Sequence, residues 1–214
     1  MKTKSRFAAV AGLPLVAAFL LLGACNLPQP TTDTTRFYVL VVKPDASTAA
    51  AATATRKWSV ALAPIEVPPF LRSKPMAVRV SPTEVRYIDE ARWAEPLDAG
   101  ILRVFREQLE VMPEFAQVST GPDIVGAPAD FQIVVRVLRC EGDVTSEKMG
   151  RFVATVEIHA ANGDRLARDT LYAEVGGWDG KDYGVLAGKL SEAVRDLATR
   201  VPPLLEKASA AKGG

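Results

Sequence analysis

The sequence predicts an α/β fold: a mixed, largely antiparallel sheet with two long packed helices in a single sandwich domain. Alternating apolar residues indicate strands, as in 131–137 and 152–158, where every second side chain is apolar. Two longer segments carry apolar residues at helical spacing instead. Because the order along the chain is strands, helix, strands, helix, we expect both helices to bury their apolar stripes on one sheet.

Four strands are predicted in the first part of the chain. β-Branched and aromatic residues predict a strand over 36–42 and a second, almost entirely apolar, over 58–67. An apolar strand of this kind is expected to be covered on both faces. Segments 76–80 and 84–88 flank a short Ser-Pro-Thr sequence, which predicts a hairpin. Residues 43–57, rich in alanine and threonine, have no apolar stripe, and we interpret them as a mobile excursion.

The first predicted helix begins near Pro96, whose missing N–H is not needed in a first turn, and Pro113 closes it. A short strand over 115–120 follows. The helix would bury one apolar stripe with spacings of mostly three and four residues. The stripe consists of Leu97, Ile101, Val104, Phe105, Leu109 and Met112.

A hairpin is predicted after the strand at 152–158. Asn162-Gly163 is a preferred two-residue turn, in which both positions need a positive φ, and 165–175 is the return strand.

The last predicted helix runs from Asp182, a suitable N-cap, to about Arg200, and Pro202-Pro203 ends it. Gly184 and Gly188, four residues apart, would permit close approach to the sheet. Residues 208–214 are expected to form a frayed tail. The apolar stripe of this helix consists of Leu186, Leu190, Val194, Leu197 and Val201.

Residues 1–24 have the features of a secretory signal peptide: basic residues, an apolar run from Phe7 to Leu22 and small residues at the end. The sequence Leu22-Gly23-Ala24-Cys25 resembles the bacterial lipobox, which implies cleavage between Ala24 and Cys25 and acylation of Cys25. Several acyl chains would hold the protein firmly, because each buried CH₂ adds about 0.8 kcal/mol. Residues 25–35 would form a lipidated tether. An uncleaved membrane anchor is the alternative.

Composition excludes several classes of function. Without residues 1–24 the chain keeps 23 of its 26 Lys and Arg against all 25 Asp and Glu, a net charge of −2. Nucleic-acid binding needs a basic face and is not expected. With a single histidine, a histidine-based metal site is improbable, and no cofactor is expected. Cys140 would be the only free thiol, and we interpret it as a small buried residue on a strand.

Two motifs occur between Pro64 and Leu97. The first is a kink, Pro68-x-x-Leu71, ahead of a strand that begins near Pro75. The second, RWAEPL, opens the first helix and consists of Arg92, Trp93, Ala94, Glu95, Pro96 and Leu97. Together with the aromatic first strand, these motifs resemble the auxiliary lipoprotein family of ABC-type transport systems, which includes the paraquat-inducible C-subunit type. The resemblance assigns residues 36–207 to one auxiliary lipoprotein domain.

The residues of RWAEPL have a physical interpretation of their own. Trp93 lies four residues before Leu97, the first buried residue of the helix, and this spacing fits a hydrophobic staple. Glu95 near the helix start suits the helix dipole. The alternative is that Trp93 faces a partner, because aromatic residues and arginine are enriched in interfaces. The two interpretations are compatible.

The resemblance implies a docking protein at the outer membrane, facing the periplasm. Its partners would be an ABC transporter and a periplasmic protein of the mammalian-cell-entry (MCE) type, in a system that moves phospholipids or other lipids between membranes. Asn26 in place of an aspartate favours the outer membrane under the enterobacterial sorting rule. Residues 43–57 and Phe70 are candidate contact elements, and assembly with further copies of the chain is compatible with such a role.

Two alternatives to this role remain. One is an accessory lipoprotein of another envelope assembly machine, and the other is a tethered periplasmic enzyme. The chain has no G-x-S-x-G sequence, no Cys–His pair in a catalytic context and no phosphate-binding glycine loop, so no enzymatic activity is expected.

Overall fold

The computed structural model describes residues 32–42, 57–121 and 129–212. The predicted signal peptide, Cys25, most of the tether and nearly all of the 43–57 excursion lie outside these residues. Residues Thr35–Gly214 form one compact unit.

Eight strands and three α-helices occur in the described residues. They are β1 (Arg36–Tyr38), β2 (Trp58–Leu62), β3 (Pro75–Ser81), β4 (Glu84–Trp93), α1 (Leu97–Glu110), β5 (Phe115–Thr120), β6 (Phe131–Asp143), β7 (Met149–Ala160), β8 (Arg165–Val175), α2 (Tyr183–Thr199) and α3 (Val201–Lys212). A 3₁₀ turn, Pro69–Leu71, separates β2 from β3. The predicted strands at 36–42 and 58–67 are shorter than expected, and the hairpin strands β3 and β4 are longer.

The long strand β6 organises the sheet. Along one edge it pairs antiparallel with β7, which pairs antiparallel with β8. Along the other edge, the start of β6 pairs in parallel with β2 and its end with β3. Strand β5 extends the sheet from β2, while β4 and then β1 extend it from β3. The mixed α/β class is confirmed, the antiparallel pairings are the longest, and the sheet is open; the single sandwich remains a prediction.

The kink separates β2 from β3, which pair one after the other with the same edge of β6. Glu66 forms an isolated parallel bridge with Arg136, midway between the two paired strands. Pro68 and Pro69 come next, and proline has no N–H to donate to a sheet. The chain therefore leaves the sheet in the 3₁₀ turn and rejoins it at β3, while Leu71 of the turn stays buried in the core.

The helices pack against one face of the sheet, and α1 packs against α2. Both predicted stripes are confirmed: Met112, beyond the end of α1, is partly buried, and every other stripe residue is buried. Leu190 and Val194 of α2 are fully buried, as is Ile101 of α1. Asp182 caps α2 as predicted, because its Oδ1 accepts hydrogen bonds from Gly184 N at 2.9 Å and Val185 N at 3.1 Å.

The glycines that bring α2 close to the sheet lie on the strands. A Cβ at Gly142 would come within 3.2 Å of Leu186, and a Cβ at Gly150 within 3.3 Å of the same side chain. By contrast, nothing lies within 4 Å of the position that a Gly188 Cβ would occupy. The expectation that Gly188 permits this approach is therefore wrong.

Two further sequence predictions need correction. Pro202 and Pro203 do not end the helical structure, because they lie in the first turn of α3, where their missing N–H groups are not needed. Only Arg200 separates α2 from α3, so the pair forms one long bent helix. It continues through residues 208–212, which the sequence assigned to a frayed tail, and Ala208 is fully buried.

The hairpin turn between β7 and β8 also differs from the prediction. Gly163 has φ +91°, whereas no described non-glycine residue has a positive φ, so Asn162 does not. The loop has four residues: Gly163 N donates to Ala160 O, and Ala160 N donates to Asp164 O, both at 2.9 Å. The longer loop needs the left-handed conformation at one position only.

Candidate docking site

The RWAEPL motif joins β4 to α1. Trp93 ends β4 and is only 5% exposed, and Leu97, the first residue of α1, is also buried in the same core. Pro96 occupies the N-cap position just before the helix, with its carbonyl accepting from Gly100 N at 3.0 Å. The Trp93 ring thus supports the core at the helix start and presents little surface.

Glu95 uses its side chain to hold Arg103, which in turn binds the chain segment after β1. Its Oε1 lies 2.6 Å from Arg103 Nη2, which also donates to the Leu40 carbonyl at 2.9 Å. The hydrogen bond that Arg103 donates to Glu95 raises the pKa of its guanidinium above the usual value. Gly100 leaves room for this geometry, because a Cβ there would lie 3.1 Å from Glu95 Oε1.

The motif and α2 together hold β1 and the residues that follow it. Tyr38 pairs with Trp93 in the parallel β1–β4 ladder, and its carbonyl accepts from Ala94 N at 2.8 Å. Val41 N donates to Ser191 Oγ of α2 at 3.0 Å. The motif therefore fixes the segment that directly follows the predicted lipid tether.

An open groove of about 590 Å³ lies beside this segment. It is lined by residues 39–42 and by Ala94, Glu95, Arg103 and Glu107. Val39 and Val41 are exposed apolar residues, so the groove combines apolar side chains with a charged wall.

The remaining motif residues lie in the 3₁₀ turn between β2 and β3 and at the end of β4. Leu71 is buried, Pro68 is half-buried, and Phe70 packs against the core while its carbonyl accepts from Tyr87 Oη at 2.9 Å. Arg92 Nε donates to the Asp89 carbonyl at 2.9 Å. The structure thus places the predicted contact residues in local supporting interactions, and their contact with a partner remains a proposal.

The opposite face of the sheet carries a charged network that sequence reasoning missed. We call it the helix-free face; it is formed by the side chains of β3, β6, β7 and β8 that point away from the helices. Three of its carboxylates are almost fully buried: Glu141, Asp143 and Glu157. Because buried carboxylates are costly unless paired, each is surrounded by arginines.

Glu157 of β7 lies at the centre of one cluster. Its carboxylate is 3.0 Å from Arg136 Nη1, 3.3 Å from Arg165 Nη1 and 3.7 Å from Arg168 Nε. His159 Nε2 lies 3.1 Å from it. Burial alone would raise the pKa of Glu157, but the hydrogen bonds from His159 and Arg136 outweigh burial and lower the pKa below its usual value.

Glu141 and Asp143, near the end of β6, form the second cluster. Arg79 of β3 binds Glu141 with two hydrogen bonds, at 2.6 and 3.3 Å. Arg151 Nε lies 2.9 Å from Asp143 Oδ2. Burial would raise the pKa of Asp143, but hydrogen bonds from Thr145 and the charge of Arg151 overcome it and lower the pKa.

Apolar side chains lie between the two clusters. A bulge in β6 places Leu138 and Arg139 opposite Val153 of β7, and Val153 pairs with Tyr172 of β8. Tyr172 is 74% exposed and Leu138 is 51% exposed. Such exposed aromatic and aliphatic groups beside arginines have the composition of an interface core.

The described residues hold no sign of a catalytic or metal centre. Cys140 is buried on β6, as predicted, and burial raises the pKa of its thiol. No group of three or more His, Cys, Asp or Glu residues in the described part of the chain could hold a metal ion. None of the helices described is both long and apolar enough to cross a bilayer.

Solved structures share this fold. A crystal structure of a Xanthomonas campestris protein of the DUF330 family matches 84% of this chain and all of its own, with 16% identity and a TM-score of 0.68. A PelC dodecamer from Paraburkholderia phytofirmans matches 72% of this chain and 90% of its own, with 16% identity and a TM-score of 0.42. No curated protein matches the chain.

The described residues thus form an open mixed sheet that presents paired charges and exposed aromatic groups. The comparison with family models identifies the class of protein. A model of the ABC-type transport auxiliary lipoprotein component family matches residues 38–201, most of the chain. The protein belongs to this family, which is an auxiliary transport family and not an enzyme family.

Proposed function

We propose that this protein is a lipid-anchored docking component at the outer membrane, facing the periplasm, for an ABC-type lipid transport system with an MCE-type periplasmic partner. The observation that carries the proposal is the family match over residues 38–201. The MCE partner, the phospholipid cargo and the outer membrane come from the resemblance and are the parts that need an experiment.

The anchor would be the acylated Cys25, after cleavage behind Ala24. Ten residues, Asn26 to Thr35, then separate the anchor from β1. Fully extended, ten residues span about 35 Å, so the folded unit would stay close to the membrane. The hydrogen bonds of Arg103 and Ser191 to the segment after β1 support this role, because they attach the segment that follows the tether to the core, and Glu95 holds Arg103 in place.

Docking would depend on surface contacts. A specific interface needs on the order of 1,000 Å² or more, or several weaker contacts acting together. Several anchored copies facing one partner would supply such repetition. The groove beside residues 39–42 is one candidate contact region. Residues 43–57 and Phe70 are the other candidates.

The test is to express the full chain with its genomic neighbours, extract it from membranes and identify what copurifies. We expect ABC transporter and MCE-type components with the wild type, and lipid on Cys25 by intact-mass analysis. Cys25→Ala should lose the acyl mass and leave outer-membrane fractions, which provides the matched control.

A deletion strain should lose outer-membrane lipid asymmetry and become sensitive to detergent. Retention of a cell-wall synthase or a lipopolysaccharide-assembly component instead of transport components would favour the accessory role in another envelope machine. A mature N-terminus elsewhere, without acyl mass, would refute the anchor.

A further inference from the structure

In the described part of the chain, the cluster around Glu157 contains more positive charge than its carboxylates neutralise. Three arginines, Arg136, Arg165 and Arg168, lie within 3.7 Å of the one Glu157 carboxylate. The second carboxylate in contact with them is Glu66, 2.8 Å from Arg136. Among the described residues, three guanidinium groups thus meet two carboxylates, and the excess charge lies on an exposed surface.

Arg165 and Arg168 keep donors available to a partner. A guanidinium has five N–H groups in a fixed plane. Each of these two arginines approaches Glu157 through one nitrogen, and their side chains are 53% and 54% exposed. Because the buried carboxylate already orients them, less side-chain entropy would be lost when an anion binds.

The same strand offers two further features of an interface. Tyr172 lies four residues after Arg168 on β8 and faces the same side. Within the described part of the chain, the outer edge of β8 pairs with no other strand over its eleven residues. An extended peptide can add to such an edge through main-chain hydrogen bonds, with side chains meeting the adjacent face.

We infer that the helix-free face along β8, with Arg165, Arg168 and Tyr172, receives an extended, carboxylate-rich segment of a partner protein. The inference rests on the proposed docking function and deepens it by assigning the surface and the chemistry of the partner. Arginine binds carboxylates through two parallel N–H donors, and Tyr and Arg dominate the energetics of protein interfaces.

The position of the Glu157 cluster in the sheet indicates that its anionic ligand comes from a protein and not from the anionic membrane surface. Glu157 pairs with Val134 near the start of β6, whereas β1, which follows the tether, joins the sheet through β4 and β3 at the end of β6. The anchored strand and the arginine cluster are therefore at opposite ends of the sheet.

The test measures binding of a fluorescein-labelled oligoglutamate peptide to the full chain in detergent by fluorescence anisotropy at low and high salt. The double variant R165Q/R168Q should bind about tenfold more weakly, equivalent to about 1.4 kcal/mol. R86Q/R106Q removes the same charge from β4 and α1, outside the Glu157 cluster, and should bind like the wild type.

A second pair of variants keeps the test valid if the arginine variant fails to fold. Tyr172→Glu adds a negative charge at a highly exposed position and should also weaken binding, whereas Val111→Glu, at an exposed residue after α1, should not. Phosphatidylglycerol vesicles serve as the second probe and should show no dependence on Arg165 and Arg168.

Equal losses in the two arginine variants, or no peptide binding at all, would overturn the inference. Arginine-dependent binding of the vesicles without binding of the peptide would overturn it in favour of a membrane contact. The peptide measurement needs no transport component, so its failure is separate from a failure of the copurification experiment. If the products of the genomic neighbours copurify equally with R165Q/R168Q and with the wild type, the docking function is supported. The assignment of docking to this surface is then wrong.

Discussion

The two faces of the sheet are stabilised in different ways. The face that the helices cover, here called the covered face, carries aliphatic and aromatic side chains such as Phe152 and Ile158. These lie in the same core as Leu190 of α2, and all three residues are fully buried. The helix-free face instead pairs buried carboxylates with arginines that extend to its surface. Apolar burial is non-directional and leaves no polar group free to bind a partner. Charged networks are directional, and their guanidinium groups keep exposed N–H donors. The difference indicates that the covered face maintains the fold and that the helix-free face is suited to recognition.

The largest expected effect comes from the covered face. Phe152→Ala should lower the free energy of unfolding by about 3–5 kcal/mol, because it removes a fully buried ring and leaves a cavity. Denaturant titration followed by circular dichroism measures the change. A loss below about 1 kcal/mol would show that this core is loosely packed and would break the comparison.

The next effect tests the buried charges. Glu141→Gln should cost about 3 kcal/mol, because it leaves Arg79, whose side chain is 12% exposed, without its carboxylate. The matched control is Glu66→Gln, which breaks the 2.8 Å pair with Arg136 at a side chain that is 60% exposed and should cost less than about 1 kcal/mol. Equal costs would mean that burial does not distinguish these pairs.

A smaller effect is expected from pH. The pKa of Glu157 is lowered in the folded state from its usual 4.5, so its contribution to stability is present above that value and is lost as the pH falls through the folded pKa. Its surrounding groups are His159, Arg136, Arg165 and Arg168. The free energy of unfolding should therefore decrease below about pH 4.5, and less steeply in Glu157→Gln. An identical slope in the variant would contradict the network's role.

The covered face was largely predictable from sequence, since helical stripes and alternating strands report burial directly. Leu97, Leu186 and Leu190 were identified by spacing alone. The charged network was not predictable, because the contact between Arg79 and Glu141 depends on the parallel register of β3 and β6, and that between Arg168 and Glu157 on the register of β7 and β8. Spacing along a chain does not give pairing between strands.

The kink and the last helix show a second limit of sequence. Pro68-Pro69 and Pro202-Pro203 carry the same local signal, yet the first pair leads the chain out of the sheet and the second begins α3. Proline removes a backbone donor but does not determine the conformation of the residues after it. The tertiary environment decides between a turn and a helix start.

The smallest expected effect on stability is at Tyr172. Tyr172→Ala should change the free energy of unfolding by less than about 0.5 kcal/mol, because the ring is 74% exposed. The contrast with Phe152→Ala sharpens the comparison, since both changes remove an aromatic ring from neighbouring strands. A thermal melt that falls markedly in Tyr172→Ala would assign the ring to the fold instead of to a partner.

The most direct test of the docking account is site-specific photocrosslinking in cells. A photoreactive phenylalanine analogue would replace Tyr172 on the helix-free face or, in a matched strain, Val111 after α1, both exposed residues. The account predicts crosslinks from position 172 to an ABC-system or MCE-type component, and none from position 111. Crosslinks from position 111 alone, or to proteins of an unrelated envelope machine, would contradict it.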